Sequence, residues 1–133
     1  MRIVVDTNVL IAGLVADGLC RDIVKRRLPA CEVVTSPFLL NELKEKLSEK
    51  FGVNPKTVPL LKLYEDQARV VAVVPLAEPV SRDPDDDLVL SAALEGKAEV
   101  ILTGDKDLLI LKEFRKIKIL SPRQFVEWMD LRS

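Results

Sequence analysis

The sequence predicts an α/β fold with three layers, in which helices cover both faces of a central parallel sheet of about five strands. Short apolar runs without polar alternation, such as Ile3–Val5, are typical of parallel strands that are buried on both faces. Stretches with helical periodicity alternate with these runs, as crossover connections between parallel strands require. With 133 residues, 48% of them hydrophobic, we expect a single domain over residues 1–133.

The first half of the chain is predicted to alternate strands with helices. In order, these are a strand at Ile3–Val5, helices from about Asn8 to Val15 and from Arg21 to Leu28, a strand at Glu32–Thr35, and a helix from Pro37 to about Phe51. Pro29 ends the second of these helices. In the third, Leu39, Leu43 and Leu47 recur with helical period and predict its buried face.

The second half continues the alternation. We predict a helix opening at Asn54-Pro55, a strand at Val70–Val74, a helix from Pro84 to Glu95, strands at Val100–Thr103 and Ile117–Leu120, and a helix from Ser121 through Trp128. Pro84 suits the first position of its helix and Gly96 suits its end. No internal repeat or domain linker interrupts the pattern.

The composition excludes several classes of function. The chain contains no His, which argues against serine or cysteine nucleophiles and against zinc sites. We recognise no signal segment and no apolar run near the ~18 residues of a membrane span, so we expect a cytoplasmic protein with reduced Cys20 and Cys31. The net charge is −1, but the cationic residues occur in runs such as Lys25–Arg27. If a metal neutralised the clustered acids, the rest of the surface would be net basic, which suits a phosphate-rich partner.

Four carboxylates are predicted to converge at the carboxyl edge of the sheet. Asp6 and Asp105 follow predicted strands, Glu42 lies at the edge of a buried helix face, and Asp87 lies one turn into another helix. Ligands of open α/β sheets collect at this edge. Ligation by Asp and Glu oxygens suits Mg²⁺ or Mn²⁺, ions that acidify bound water and neutralise charge on phosphodiester oxygens. Taken singly, Asp6 could equally be a helix cap, and Glu42 could simply pair with Lys46.

The acidic run from Asp83 to Asp87 has a structural explanation in part. Asp83 suits a helix N-cap, and acids in the first turn face the positive end of the helix dipole. A further acid at Asp87 adds repulsion, since two unit charges ~4 Å apart cost ~4 kcal/mol at an effective dielectric near 20. A bound cation would remove this cost. We therefore predict Asp87 as the third metal-organising acid, with Asp83 and Asp107 as uncertain additions.

The ordered set of motifs resembles the PIN-domain family, in particular the VapC-like toxin nucleases of prokaryotes. The resemblance rests on Val4–Leu10, on Ser36-Pro37 with Glu42, on Asp83–Ala93 and on Leu102–Leu108. It implies an endoribonuclease dependent on Mg²⁺ or Mn²⁺, with an RNA substrate, often a homodimer and held inactive by an antitoxin protein. Carried onto this chain, the metal-organising acids are Asp6, Glu42, Asp87 and Asp105, and the supporting polar residues are Thr7, Asn8 and Thr103.

Two other interpretations stay open at the level of sequence. One is a PIN-like module that binds RNA or protein without catalysis, although an inactive site has no need of mutually repelling acids. The other is a phosphatase of the haloacid-dehalogenase type or a receiver domain, by analogy of fold. The phosphatase would need an acid where Asn8 stands, and the receiver domain would need one where Thr7 stands.

Overall fold

The computed structural model describes residues 1–132, which form one six-stranded sheet with helices around it. The strands are β1 (Arg2–Val5), β2 (Glu32–Thr35), β3 (Arg69–Val70), β4 (Val100–Leu102), β5 (Glu113–Phe114) and β6 (Ile117–Leu120). The α-helices are α1 (Thr7–Val15), α2 (Leu19–Asp22), α3 (Pro37–Phe51), α4 (Pro59–Gln67), α5 (Pro84–Glu95), α6 (Lys106–Leu109) and α7 (Pro122–Arg132). None of the described helices combines the length and apolarity needed to cross a bilayer.

The strand order is β3-β2-β1-β4-β6-β5, and every neighbouring pair is parallel except β5 with β6. Five parallel strands with one short antiparallel edge strand confirm the predicted fold class. The chain leaves β1 toward β2 on one side and later returns to β4 on the other side. Such a reversal of strand order opens a crevice at the carboxyl ends of the two central strands, where ligands bind in this class of fold.

Two hydrophobic clusters lie on opposite faces of the sheet and give the predicted three layers. Ile3 and Val5 of β1 pack into one cluster, with side chains from α1, α3, α4 and α7. Val4 of the same strand packs into the other cluster, mainly against α5. Successive strand side chains point to opposite faces, so a continuous apolar run is what a doubly covered sheet requires.

The structure differs from the expectations in three predicted segments, and it contains two short elements that were not predicted, α6 and β5. The helix predicted over Arg21–Leu28 is a short α-helix continued by a π-helical turn, Ile23–Arg27, and a 3₁₀ turn, Leu28–Ala30. The helix predicted to open at Asn54-Pro55 begins as a separate 3₁₀ turn, Pro55–Thr57, followed by α4. Of the predicted strand Val70–Val74, only the start of the segment pairs with β2, as β3.

Candidate metal centre

A pocket lined largely by carboxylates lies where β1 and β4 end, in the crevice at the reversal of strand order. Its volume is about 70 Å³. It is lined by Asp6, Asn8, Glu42, Lys46, Asp83, Asp85, Asp86, Val89 and Asp105. Helix α3 contributes to this pocket from one face of the sheet and helix α5 from the other, so residues distant in sequence meet at one point.

Asp6 lies at the bottom of this arrangement and is 7% exposed. One carboxylate oxygen accepts a hydrogen bond from the Thr7 amide at 2.8 Å, and the other accepts one from the Thr103 hydroxyl at 2.7 Å. Burial raises the pKa of Asp6, these two hydrogen bonds lower it in part, and the charges of Glu42 and Asp105 raise it further. Asp6 therefore caps α1 and also belongs to the acidic pocket, so the two interpretations of this residue are compatible.

Thr103 connects Asp6 to Asp105. Its hydroxyl donates to Asp6 and accepts a hydrogen bond from the Asp105 amide at 3.0 Å. Asp105 caps the short helix α6 by accepting from the Asp107 amide at 2.8 Å. The last strand residue before this turn, Leu102, accepts a hydrogen bond from the Asp6 amide at 2.9 Å, which fixes the ends of β1 and β4 together.

Asp86 is the acid that α5 places in the pocket, and it is 5% exposed. Its carboxylate accepts a hydrogen bond from the Ser81 hydroxyl at 3.1 Å. Burial raises the pKa of Asp86 to about 7; Asp105 and Asp83 add to the rise, and the Ser81 hydrogen bond opposes it. Oxygens of Asp86, Asp105 and Asp107 lie within 4.8 Å of one another, an arrangement that could hold a cation.

Glu42 lines the pocket from α3. The helix begins with the Ser36 hydroxyl accepting from the Leu39 amide at 3.2 Å, and its leucine face is buried against the sheet. Glu42 sits at the border of that face and is half-buried. Lys46, one turn further on, is the one cation among the residues that line the pocket.

The structure does not bring Asp87 into this pocket. Its carboxylate instead accepts hydrogen bonds from the amides of Val80, at 3.1 and 3.3 Å, and Ser81, at 2.8 Å. Adjacent residues of a helix point about 100° apart, so a shift of one position moves a side chain to another face. The backbone amides stabilise the charge of Asp87, so the repulsion that suggested a metal there is relieved. Asp86 occupies the position in the acidic pocket that was predicted for Asp87.

The remaining predicted residues lie in and around the pocket. Asn8 is exposed and lines it, as does Asp83, which caps α5 by accepting from the Asp85 amide at 2.9 Å. Thr7 is buried; its amide bonds Asp6, but its hydroxyl has no hydrogen-bond partner among residues 1–132. Asp107 pairs with Arg82 at 2.8 Å.

Asp86 and Ser81 were not predicted as functional residues from the sequence, and Lys46 was considered only as an ion-pair partner of Glu42. The apolar periodicity gave only a partial signal for Asp86: this residue precedes the buried Val89 and Leu90 by three and four residues, but Asp87 also precedes Leu90 by three. Ser81 carried no such signal, since it lies in a loop whose path the sequence does not specify.

The donor set fits a hard divalent cation. No ion pair in the described part of the chain involves Asp6, Glu42, Asp86 or Asp105, so their negative charge is not compensated by a salt bridge. Oxygen ligands of this kind suit Mg²⁺ or Mn²⁺. A larger cavity of about 530 Å³ lies elsewhere, against α3 and α4, with Lys44, Lys56 and Lys62 in its lining.

An α/β sheet with an acidic pocket at its strand reversal defines the class of protein, and comparison with known proteins identifies the family. The family model described as PIN domain matches residues 2–107, so the chain belongs to the PIN-domain family. An uncharacterized protein of Methanocaldococcus jannaschii is 30% identical in an alignment of length 147, which covers 96% of this chain and 90% of that protein.

A solved structure shows the same fold. It is the crystal structure of VapBC2 from Rickettsia felis bound to a DNA fragment from their promoter, and one of its chains aligns with a TM-score of 0.61 at 13% identity. The alignment covers 91% of this chain and 98% of that chain. At this level of identity the likeness concerns the fold, which agrees with the resemblance to VapC-like proteins inferred from the motifs.

Proposed function

We propose that the protein is an endoribonuclease that depends on Mg²⁺ or Mn²⁺ and hydrolyses RNA phosphodiesters. The observation that carries this proposal is the convergence of Asp6, Glu42, Asp86 and Asp105 on one small pocket without a compensating salt bridge. Such a cluster is costly in the absence of a cation, because like charges in a partly desolvated site repel one another. Membership of the PIN-domain family supports a nuclease.

We assign Asp6, Glu42, Asp86 and Asp105 to the binding of the divalent ion, with Asp83 and Asp107 close enough to contribute. A bound ion of this kind would lower the pKa of water and neutralise charge that develops on the phosphodiester oxygens. No protein nucleophile is required, which agrees with the absence of His from the chain.

The protein's own contribution is to hold the ligands in place. The Thr7 amide and the Thr103 hydroxyl bond one carboxylate oxygen of Asp6 each, which fixes the rotamer of Asp6. Thr103 also orients the turn that carries Asp105. Partners of this type usually matter, since losing one reduces metal affinity or activity by about 10–100-fold.

We further propose that the protein acts in the cytoplasm as the toxin of a toxin-antitoxin pair and forms a homodimer. The fold shared with a chain of the VapBC2 complex, together with the motifs, supports this more specific role. A test is to search beside this gene for one that encodes a short protein, to express that protein, and to add it to the nuclease assay. The proposal expects a stable complex and loss of cleavage; unchanged cleavage with no complex would contradict the toxin role.

The nuclease proposal is tested by incubating single-stranded RNA with the protein in Mn²⁺ and in chelator. Cleavage should require Mn²⁺ and should be lost in Glu42→Gln, while Glu49→Gln, an exposed position on the same helix, should cleave normally. Asp86→Asn should also be inactive. RNA binding without turnover in the wild type would instead support the non-catalytic module.

A further inference from the structure

We infer that Asp87 is a positioning residue, which clamps the loop before α5 so that Ser81 orients the metal ligand Asp86. This inference rests on the proposed function of the acidic pocket, which it extends from the ligands to the loop beside them. Asp87 was predicted from the sequence as a metal-organising acid, but it does not line the acidic pocket.

The clamp consists of one carboxylate and two consecutive backbone amides. Oδ1 of Asp87 accepts from the Ser81 amide at 2.8 Å, and Oδ2 accepts from the Val80 amide at 3.1 Å. Hydrogen bonds to an ionised acceptor are about twice as strong as neutral ones. Because Asp87 lies in the first turns of α5 and its partners lie six and seven residues earlier, the carboxylate closes this loop against its own helix.

The clamped residue makes the contact with the pocket. The Ser81 hydroxyl accepts a hydrogen bond from the Asp83 amide at 3.3 Å, which directs its own hydrogen elsewhere. That hydrogen is donated to Oδ2 of Asp86 at 3.1 Å. Asp87 thus acts on Asp86 indirectly: it sets the backbone of Ser81, and Ser81 sets the carboxylate.

Two other contacts hold the same loop at its ends. Upstream, the Ser91 hydroxyl donates to the Val74 carbonyl. Downstream, Arg82 pairs with Asp107 across to α6 at 2.8 Å, although the Arg82 side chain is 86% exposed and the pair is therefore weak. Neither contact reaches Val80 or Ser81, so among the described residues the clamp on these two amides comes from Asp87.

The test is the affinity for Mn²⁺, measured by calorimetric titration of the intact protein at neutral pH. Asp87→Asn and Asp87→Ala both remove a charge near the pocket, but only Asn keeps an oxygen that can accept from the Ser81 amide. We expect Asp87→Ala to weaken Mn²⁺ binding by about 10–100-fold, as is typical for loss of a partner that orients a ligand, and Asp87→Asn to weaken it clearly less. Ser81→Ala should weaken it by about 10-fold.

The control is Glu78→Gln, which removes an exposed charge from the same loop and should bind Mn²⁺ like the wild type. Equal losses in Asp87→Asn and Asp87→Ala would show that only charge matters and would overturn the inference. Unchanged binding in Ser81→Ala would also overturn it, and this variant decides the question if Asp87→Ala fails to fold. Wild-type protein that binds Mn²⁺ but cleaves no RNA would refute the proposed function and leave the clamp intact.

Discussion

Replacing Asp86 with Asn should change how the stability of the metal-free protein depends on pH. The wild-type carboxyl is buried, and its pKa is raised from 3.8 to about 7 by burial first and then by its acidic neighbours. An acid whose pKa is higher in the folded state stabilises the fold at low pH, and this contribution disappears as the pH rises through the folded pKa. The Asn variant cannot ionise and still accepts a hydrogen bond from Ser81, so its fold should lack this dependence.

The expected size follows from the shift in pKa. Moving from 3.8 to about 7 is roughly three units, and at 1.36 kcal/mol per unit the full effect is on the order of 4 kcal/mol. Part of this is already lost at pH 5, above the unfolded pKa. Between pH 5 and pH 8, the free energy of unfolding of the wild type should therefore fall by roughly 2–3 kcal/mol more than that of Asp86→Asn.

The assay is urea unfolding of both proteins in chelator at pH 5 and pH 8. Asp85→Asn, which removes an exposed neighbouring charge, is the control and should behave more like the wild type. Adding Mn²⁺ at pH 8 should stabilise the wild type and not Asp86→Asn, because a ligand bound only by the folded state adds its binding free energy to stability. Parallel pH dependence of wild type and Asp86→Asn would refute the argument that a buried, electrostatically strained acid sits at this position.

Three further outcomes follow. Asp6→Asn should lose at least 100-fold in Mn²⁺-dependent RNA cleavage with an unchanged circular dichroism spectrum, and retained cleavage would reject its role. Thr103→Val leaves two polar partners unsatisfied and should lower the free energy of unfolding by about 1–3 kcal/mol, with Thr103→Ser close to wild type. Gly96→Ala places a Cβ 2.3 Å from a Val34 methyl group and should lower the free energy of unfolding by about 1–3 kcal/mol. The Cβ of Gly104→Ala meets open space, so this variant should be close to wild type. Equal effects of the two substitutions in urea titrations would contradict this.

Most of the sheet could be predicted because buried parallel strands are continuous apolar runs. The predicted strands at residues 3–5 and 32–35 match β1 and β2 closely. The long helix from Pro37 was equally clear, since its leucines repeat with helical period, and in the structure Ser36 caps it. In these segments local preference and tertiary burial favour the same structure.

The segments that could not be predicted depend on contacts rather than on local pattern. Val70–Val74 looks like a strand, but pairing with β2 ends early and Val74 is 55% exposed. The edge strand β5 was not predicted, because its hairpin turn places Arg115 and Lys116 at positive φ. This conformation usually requires Gly or Asn. Neither residue type signals such a turn.

In the acidic pocket, too, some residues could be predicted from local pattern and others depend on tertiary contacts. Asp6 and Asp105 could be placed because each lies within three residues of the end of a strand, and the ends of parallel strands share one edge. Choosing between Asp86 and Asp87 was beyond the sequence, because the choice depends on helix rotation and on a loop that offers two free amides to Asp87. An acidic run identifies the turn of helix that reaches the pocket, but not the residue.

The proposed function requires that Asp6, Glu42, Asp86 and Asp105 together hold a divalent cation. Anomalous diffraction from crystals soaked in Mn²⁺ tests it most directly, because the method locates the ion without reference to activity. We expect a peak at coordination distance from Asp6 and Asp86, with Asp87 still bonded to the backbone of Val80 and Ser81. No peak in this pocket, or a peak coordinated by Asp87 instead, would contradict it.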